Sequence, residues 1–136
     1  MTNIKPVFLW ERICSITAAI ILLQTLFFKF TAAPVSVHIF STLGIEPWGR
    51  IGTGVMELVA GLLLVWHRTS YIGALLALGI MAGAILSHIF FLGIDILGDG
   101  GQVFILAIIV TFCSLNVLVI RKDDIKSLIN KILKNQ

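Results

Sequence analysis

The sequence predicts an all-α protein: a four-transmembrane-helix bundle, N-in/C-in, with a short extracytoplasmic surface helix between helices 1 and 2 and a C-terminal amphipathic helix. Three observations carry that prediction. Of 136 residues, 58% are hydrophobic and 12% charged, with mean hydropathy +1.04, where a soluble domain carries about 25% charged residues. Four apolar runs, at about residues 12–30, 48–66, 70–93 and 101–120, approach the roughly 20 residues needed to cross ~30 Å of hydrocarbon. Of the 10 Lys and Arg residues, all but Lys29 and Arg50 then fall on one side of the membrane. The positive-inside rule makes that side cytoplasmic, with both termini there.

Each element follows from local chemistry. The first run, residues 12–30, is extended by Trp10 and Phe30. It lacks a small-x-small cleavage site and ends in Lys29-Phe30-Thr31, so it reads as a retained span. Between Pro34 and Pro47, residues 35–43 form a short surface helix that Gly44 stops, placed to act as a lid. The second and third spans join through a short loop at Arg68. Trp10, Trp66 and Tyr71 mark the inner boundary and Trp48 the outer one. The loop 93–101 is glycine-rich and acidic, and it turns tightly before Asp99 caps the fourth helix. These pieces make one membrane domain, 1–121. The tail, 122–136, places Ile125, Leu128, Ile129, Ile132 and Leu133 on one stripe with Lys126, Lys131 and Lys134 off it. That pattern suits an interfacial helix on the cytoplasmic leaflet, with a partner-binding helix as the alternative.

Glu57 locates the candidate site. It is the one charge between Arg50 and Arg68, in a span where an acidic group costs about 2.5–3.5 kcal/mol, so it should face the bundle interior or a wet cavity. Gly54, Glu57 and Gly61 share a helix face, as do Ala77, Met81, Ala84 and His88. At 1.5 Å per residue, Gln24 and His88 lie within a few ångströms of Glu57 in depth, all in the outer half, with Lys29 above them. The candidate polar cavity is therefore Gln24, Lys29, Glu57 and His88. His38, Asp95 and Asp99 are secondary candidates. A bland reading stands beside this one, in which buried polar groups only tie helices together at roughly 0.6 kcal/mol per contact. It explains Gln24 better than it explains a carboxylate.

Several chemistries find no footing in the sequence. Cys14 and Cys113 form no Cys-x-x-Cys and read as packing residues. A bis-histidine haem needs two intramembrane histidines, and His38 and His67 fall in predicted loops. Glu57 and His88 would need a third strong ligand to hold a metal, so none is expected. There is no Gly-rich phosphate loop and no His-Glu-x-x-His. The basic residues lack a soluble domain to present them to nucleic acid.

The segments Gln24-Thr-Leu-Phe-Phe-Lys-Phe30, Ser36-x-x-Ile-Phe-Ser-x-Leu-Gly-x-Glu-Pro-Trp-Gly-Arg-Ile51, Gly54-x-x-Glu-Leu58, Gly83-Ala-Ile-x-Ser-His88 and Gly98-Asp-Gly-Gly101 resemble the bacterial DoxX and DoxX-like membrane proteins. The resemblance covers almost the whole chain up to Arg121 and places Lys29, Glu57 and His88 at the family's polar positions. At the position of Val35, relatives often carry an acid. The resemblance implies a protein of the bacterial cytoplasmic membrane linked with redox partners, such as the small subunit of a thiosulfate:quinone oxidoreductase or components accompanying thiol-stress systems. The leading expectation is a redox-associated subunit that binds a quinone or similar small amphiphile, with His88 donating to a carbonyl oxygen and Glu57 exchanging its proton. Its partners would be the lipid bilayer, a membrane or soluble oxidoreductase and further copies of the chain. Two alternatives stay open: a small proton-coupled transporter acting as an oligomer, and a scaffold that recruits an oxidoreductase.

Overall fold

Four helices of this protein are long and apolar enough to cross a membrane, and they pack as a ring in chain order. The structure, a computed structural model, describes residues 5–136, so the first four residues of the expected membrane domain lie outside it. Helix α1 spans Pro6–Phe30, α2 Pro34–Thr42, α3 Trp48–Val65, α4 Ser70–Ser87, α5 Gln102–Ile120 and α6 Lys122–Lys134. Helix α1 packs on α3 and α5, and α4 packs on the same two. The described residues contain no strand.

Proline and hydroxyl side chains set the helix limits. Pro6 and Pro34 open α1 and α2, where a missing N–H costs nothing and φ is already helical. The Thr31 hydroxyl donates to the Phe27 carbonyl at 2.5 Å, and the Thr42 hydroxyl to the His38 carbonyl at 2.8 Å, closing their last turns. Helix α1 begins several residues before the expected boundary near residue 12, because Glu11 and Arg12 find partners inside the protein. Beyond Ser87, α4 widens into a π-turn, His88–Leu92, where the Gly93 N–H reaches the His88 carbonyl at 2.8 Å. The tail forms α6 with Asp123 and Asp124 in its first turn and Lys131 and Lys134 in its last, each sign matching the helix dipole. None of its residues is buried.

Small residues line the interior and large ones the outside. Ala18, Ala60, Ala74 and Ala77 are 0% exposed, while Ile20, Leu62 and Phe112 are each more than half exposed. Lipid tails are as apolar as leucine, so no hydrophobic gain drives helices together there. Close van der Waals packing does that work, and small side chains permit it. At Gly73 a Cβ would stand 2.7 Å from the Leu64 nitrogen and 2.9 Å from the Ala60 carbonyl oxygen. Those are backbone atoms of α3, which cannot swing aside. Gly61 allows the same closeness to Leu23, and Gly54 to Phe30.

Replacing Gly73 with Ala should force α4 from α3 and lower the stability of the solubilised protein by about 1–3 kcal/mol, the usual cost of overpacking. Gly52, with nothing within 4 Å of its would-be Cβ, is the control: Gly52→Ala should leave the thermal unfolding midpoint undiminished. Equal midpoints for the two variants would contradict the close α3–α4 approach.

Candidate functional site

Two complementary stripes meet along the α1–α3 seam. On α1, Glu11, Ser15, Ala18, Leu22, Thr25 and Lys29 recur at alternating spacings of four and three and share one face. On α3, Arg50, Gly54, Glu57, Gly61 and Leu64 do the same, and all five are buried. Where the stripes meet near one end, Lys29 Nζ lies 2.9 Å from Glu57 Oε2, with the two side chains 14% and 5% exposed. Thr25 Oγ1 lies 3.0 Å from the same oxygen and 2.7 Å from the Leu22 carbonyl oxygen, so its one proton serves two acceptors. The Arg50 guanidinium donates to the Lys29 carbonyl and, through Nε, to Glu46 Oε1 at 2.8 Å. It therefore ties the end of α1, and with it the lysine, to the start of α3.

Beside this pair is a cavity of about 500 Å³, within the roughly 300–1,000 Å³ usual for small-molecule sites. Its walls are mostly apolar: Leu22, Phe28, Phe40, Met56, Met81 and Leu106 are among them. Phe28, Met56 and Gly83 line it and are also exposed, so the cavity reaches the surface of the bundle. Of the residues expected from sequence, Gln24, Lys29, Glu57, His88 and Asp99 line it; His38 and Asp95 do not. His38 is exposed on α2, and Asp95 accepts from the Gly100 N–H at 3.3 Å within its own loop. The α1 side chain that donates to Glu57 beside Lys29 is Thr25 and not Gln24. One residue is about 100° of helix, which takes Gln24 off the α3-facing stripe to an exposed position on the cavity rim. Val35 also lines the cavity, so the wall is apolar at that point.

His88 is held by the π-turn it begins. Its Nδ1 lies 2.8 Å from the Gly93 carbonyl oxygen, and its ring meets Phe104 edge to face with centroids 5.4 Å apart. Gly93 has φ 79 and ψ 176, a backbone region open essentially to glycine alone. That conformation lets the chain double back on the histidine. Across the loop, Asp99 Oδ1 accepts from the N–H groups of Ile96 and Gly101 at 2.9 and 2.8 Å, and Oδ2 from that of Val103 at 3.1 Å. Burial alone would raise its carboxyl. The backbone donors outweigh that and hold it below the ordinary carboxylate range. Asp99 is thus the cap of α5 as well as part of the cavity wall.

The sequence reading missed a second buried carboxylate. Glu11, 0% exposed, is at the other end of the α1 stripe, about 27 Å from Lys29 at 1.5 Å per residue. Its Oε1 accepts from the Ser70 hydroxyl at 2.6 Å and lies 3.8 Å from Arg121 Nη1; His67 Nδ1 stands 3.5 Å from Oε2. Around it the end of α3 is satisfied by side chains. Arg12 donates to the Val65 carbonyl at 2.6 Å, Ser15 to that of Leu64, Thr69 to that of Leu63 at 2.9 Å and Arg121 to that of His67 at 2.7 Å. Helix ends in an apolar medium require such partners. The signal was present in the sequence: stepping back from Lys29 by alternating fours and threes arrives at Glu11.

Among the described residues no group of three or more His, Cys, Asp or Glu side chains is placed to hold a metal ion. Cys14 and Cys113 are both buried in the apolar core. Comparison with protein-family models, curated proteins and solved structures finds no match to this chain.

Two outcomes follow from this geometry. Lys29→Met strands the Glu57 carboxylate and should cost about 3–5 kcal/mol, whereas Lys29→Met with Glu57→Leu should recover most of that loss. A double variant no better than the single one would show that the two charges do not depend on each other. Asp99 has a lowered carboxyl pKa, so its capping stability is present above the unfolded carboxylate value near 3.9 and is lost as pH falls through the lower folded value. The thermal midpoints of wild type and Asp99→Ala should differ at pH 7 and approach each other as pH falls below the lowered folded value. A constant gap would rule out the ionised cap.

Proposed function

We propose that the chain is a redox-associated subunit of the bacterial cytoplasmic membrane, of the DoxX-like kind its motifs resemble, whose cavity holds a quinone or similar small amphiphile. The observation that carries this reading is the cavity itself: a largely apolar chamber of about 500 Å³ with one buried ion pair in its wall and access at the bundle surface. Apolar walls suit a lipophilic ring. The Lys29 ammonium and the Glu57 carboxylate offer a donor and an acceptor to its polar substituents. The redox assignment rests on the sequence resemblance. In this reading both termini are cytoplasmic, α2 covers the extracytoplasmic end and α6 rests on the anionic cytoplasmic leaflet, where an oxidoreductase partner would also dock.

One packing feature weighs against transport by a single copy. Below the cavity, Ala18, Leu22, Ala60, Ala77 and Val110 are at most 1% exposed, so the chamber is closed toward the Glu11 end. A carrier built from this chain would need its path between copies. The pure scaffold accounts for the ion pair as a tie between α1 and α3 but has no use for the open chamber beside it.

Purified protein titrated with a short-tailed benzoquinone, in either redox state, should gain thermal stability, about 2.7 kcal/mol at a hundredfold excess over Kd. The Lys29→Met/Glu57→Leu variant should bind more weakly while still unfolding cooperatively. If neither redox state shifts the unfolding of wild-type protein, the quinone reading falls.

A further inference from the structure

The hydrogen bonding of His88 restricts what the cavity can recognise. A carbonyl oxygen is an acceptor only, so the 2.8 Å contact between Nδ1 and the Gly93 carbonyl requires the proton to sit on Nδ1. In the neutral ring Nε2 is then a lone-pair acceptor. This reverses the role expected from sequence, in which His88 donates to a ligand carbonyl. Nε2 has no hydrogen-bond partner among the described residues, yet it is not among the polar atoms sealed inside the protein without one. His88 is 2% exposed and lines the cavity, which leaves the cavity as the space that Nε2 faces. Glu57 offers the same chemistry. Its Oε2 is taken by Lys29 and Thr25, while Oε1 has no partner among the described residues and is likewise not sealed.

We infer that the cavity selects a lipophile carrying a hydroxyl donor, such as a hydroquinone or a long-chain alcohol, over a ligand whose oxygens can only accept. This rests on the cavity being the ligand site, as proposed above, and refines the ligand class. A hydroxyl donates its proton to His88 Nε2 or Glu57 Oε1 and accepts from the Lys29 ammonium with its own lone pairs. A quinone carbonyl can meet Lys29 but leaves both acceptors unpaired, and a buried polar group left unpaired weakens binding. The two oxidation states of one ring therefore differ in fit at this site, although their size and apolar surface are nearly the same.

The test uses the full chain in lipid nanodiscs and compares five probes: a short-tailed benzohydroquinone, its benzoquinone, its dimethyl ether, a long-chain primary alcohol and the methyl ether of that alcohol. The hydroquinone should bind at least about tenfold tighter than the quinone, one well-made hydrogen bond, with the ether no better than the quinone. Binding of the alcohol with equal loss on methylation, without binding of the hydroquinone, would support the hydroxyl requirement and discard the aromatic ligand. Equal or tighter binding of the quinone overturns the inference and leaves the cavity reading intact. If no probe binds, both fall. Independently of any variant, the ¹⁵N shifts of the neutral His88 ring should show the proton on Nδ1 and not on Nε2; the opposite tautomer overturns the inference.

Discussion

A carboxylate taken out of water must bring its counter-charge with it, and that constraint organises this bundle from both ends. Glu57 is met by Lys29 at 2.9 Å, and Glu11 by Ser70, Arg121 and His67. Replacing such a pair by apolar groups is often harmless, whereas removing one member strands a charge. The members of each pair are therefore interdependent, and each pair joins helices that are distant in sequence. Lys29 and Glu57 bind α1 to α3; Glu11 binds α1 to the α3–α4 turn and to the junction of α5 and α6. The ends of the bundle are held by charge and its middle by the fit of small side chains.

The two polar ends differ in what stands beside them. Around Glu11 most donors are spent on the backbone: Arg12, Ser15, Thr69 and Arg121 each satisfy a carbonyl at or just beyond the end of α3, while Glu11 Oε2 and Arg12 Nη1 are sealed inside without a hydrogen-bond partner among the described residues. That cluster is a helix cap assembled from several elements. Around Glu57 the balance is different. One carboxylate oxygen and one imidazole nitrogen are without hydrogen-bond partners among the described residues, beside a cavity of about 500 Å³. Between the ends lie Ala18, Leu22, Ala60 and Val110, all but fully buried. The apolar middle separates the sealed Glu11 cluster from the Glu57 pair and its open cavity.

Much of this was legible in the sequence because hydrophobic length and helical phase are local properties. The four long helices follow from runs of apolar residues, and the inward face of α3 follows from Gly54, Glu57 and Gly61. Asp99 reads as a cap because a short acid after a glycine-rich turn has few other uses. Phase also failed informatively. Gln24 and Thr25 are neighbours in sequence, but about 100° of rotation decides which one faces α3. Depth sets Gln24 level with Glu57, and neither depth nor the phase within α1 fixes which face of that helix turns toward α3. Glu11 went unread because it adjoins Arg12 near the start of the first span, where a charge looks like the edge of the membrane. Its burial depends on Ser70 and Arg121, which lie 59 and 110 positions further on.

By itself the sequence determined the class of the protein, the number of its long apolar helices, the inward faces of α3 and α4 and one intramembrane acid that marks a candidate site. Those follow from composition and from periods of a few residues. Tertiary structure alone decided which donor meets each acid, where the interior is packed and where it is open, and which nitrogen of His88 carries the proton. Each of these depends on groups brought together from different helices or, for His88, on a backbone reversal at Gly93 that turns a carbonyl back onto the ring. Local sequence encodes which groups are available; only the fold sets which of them are spent on one another and which are left for a ligand.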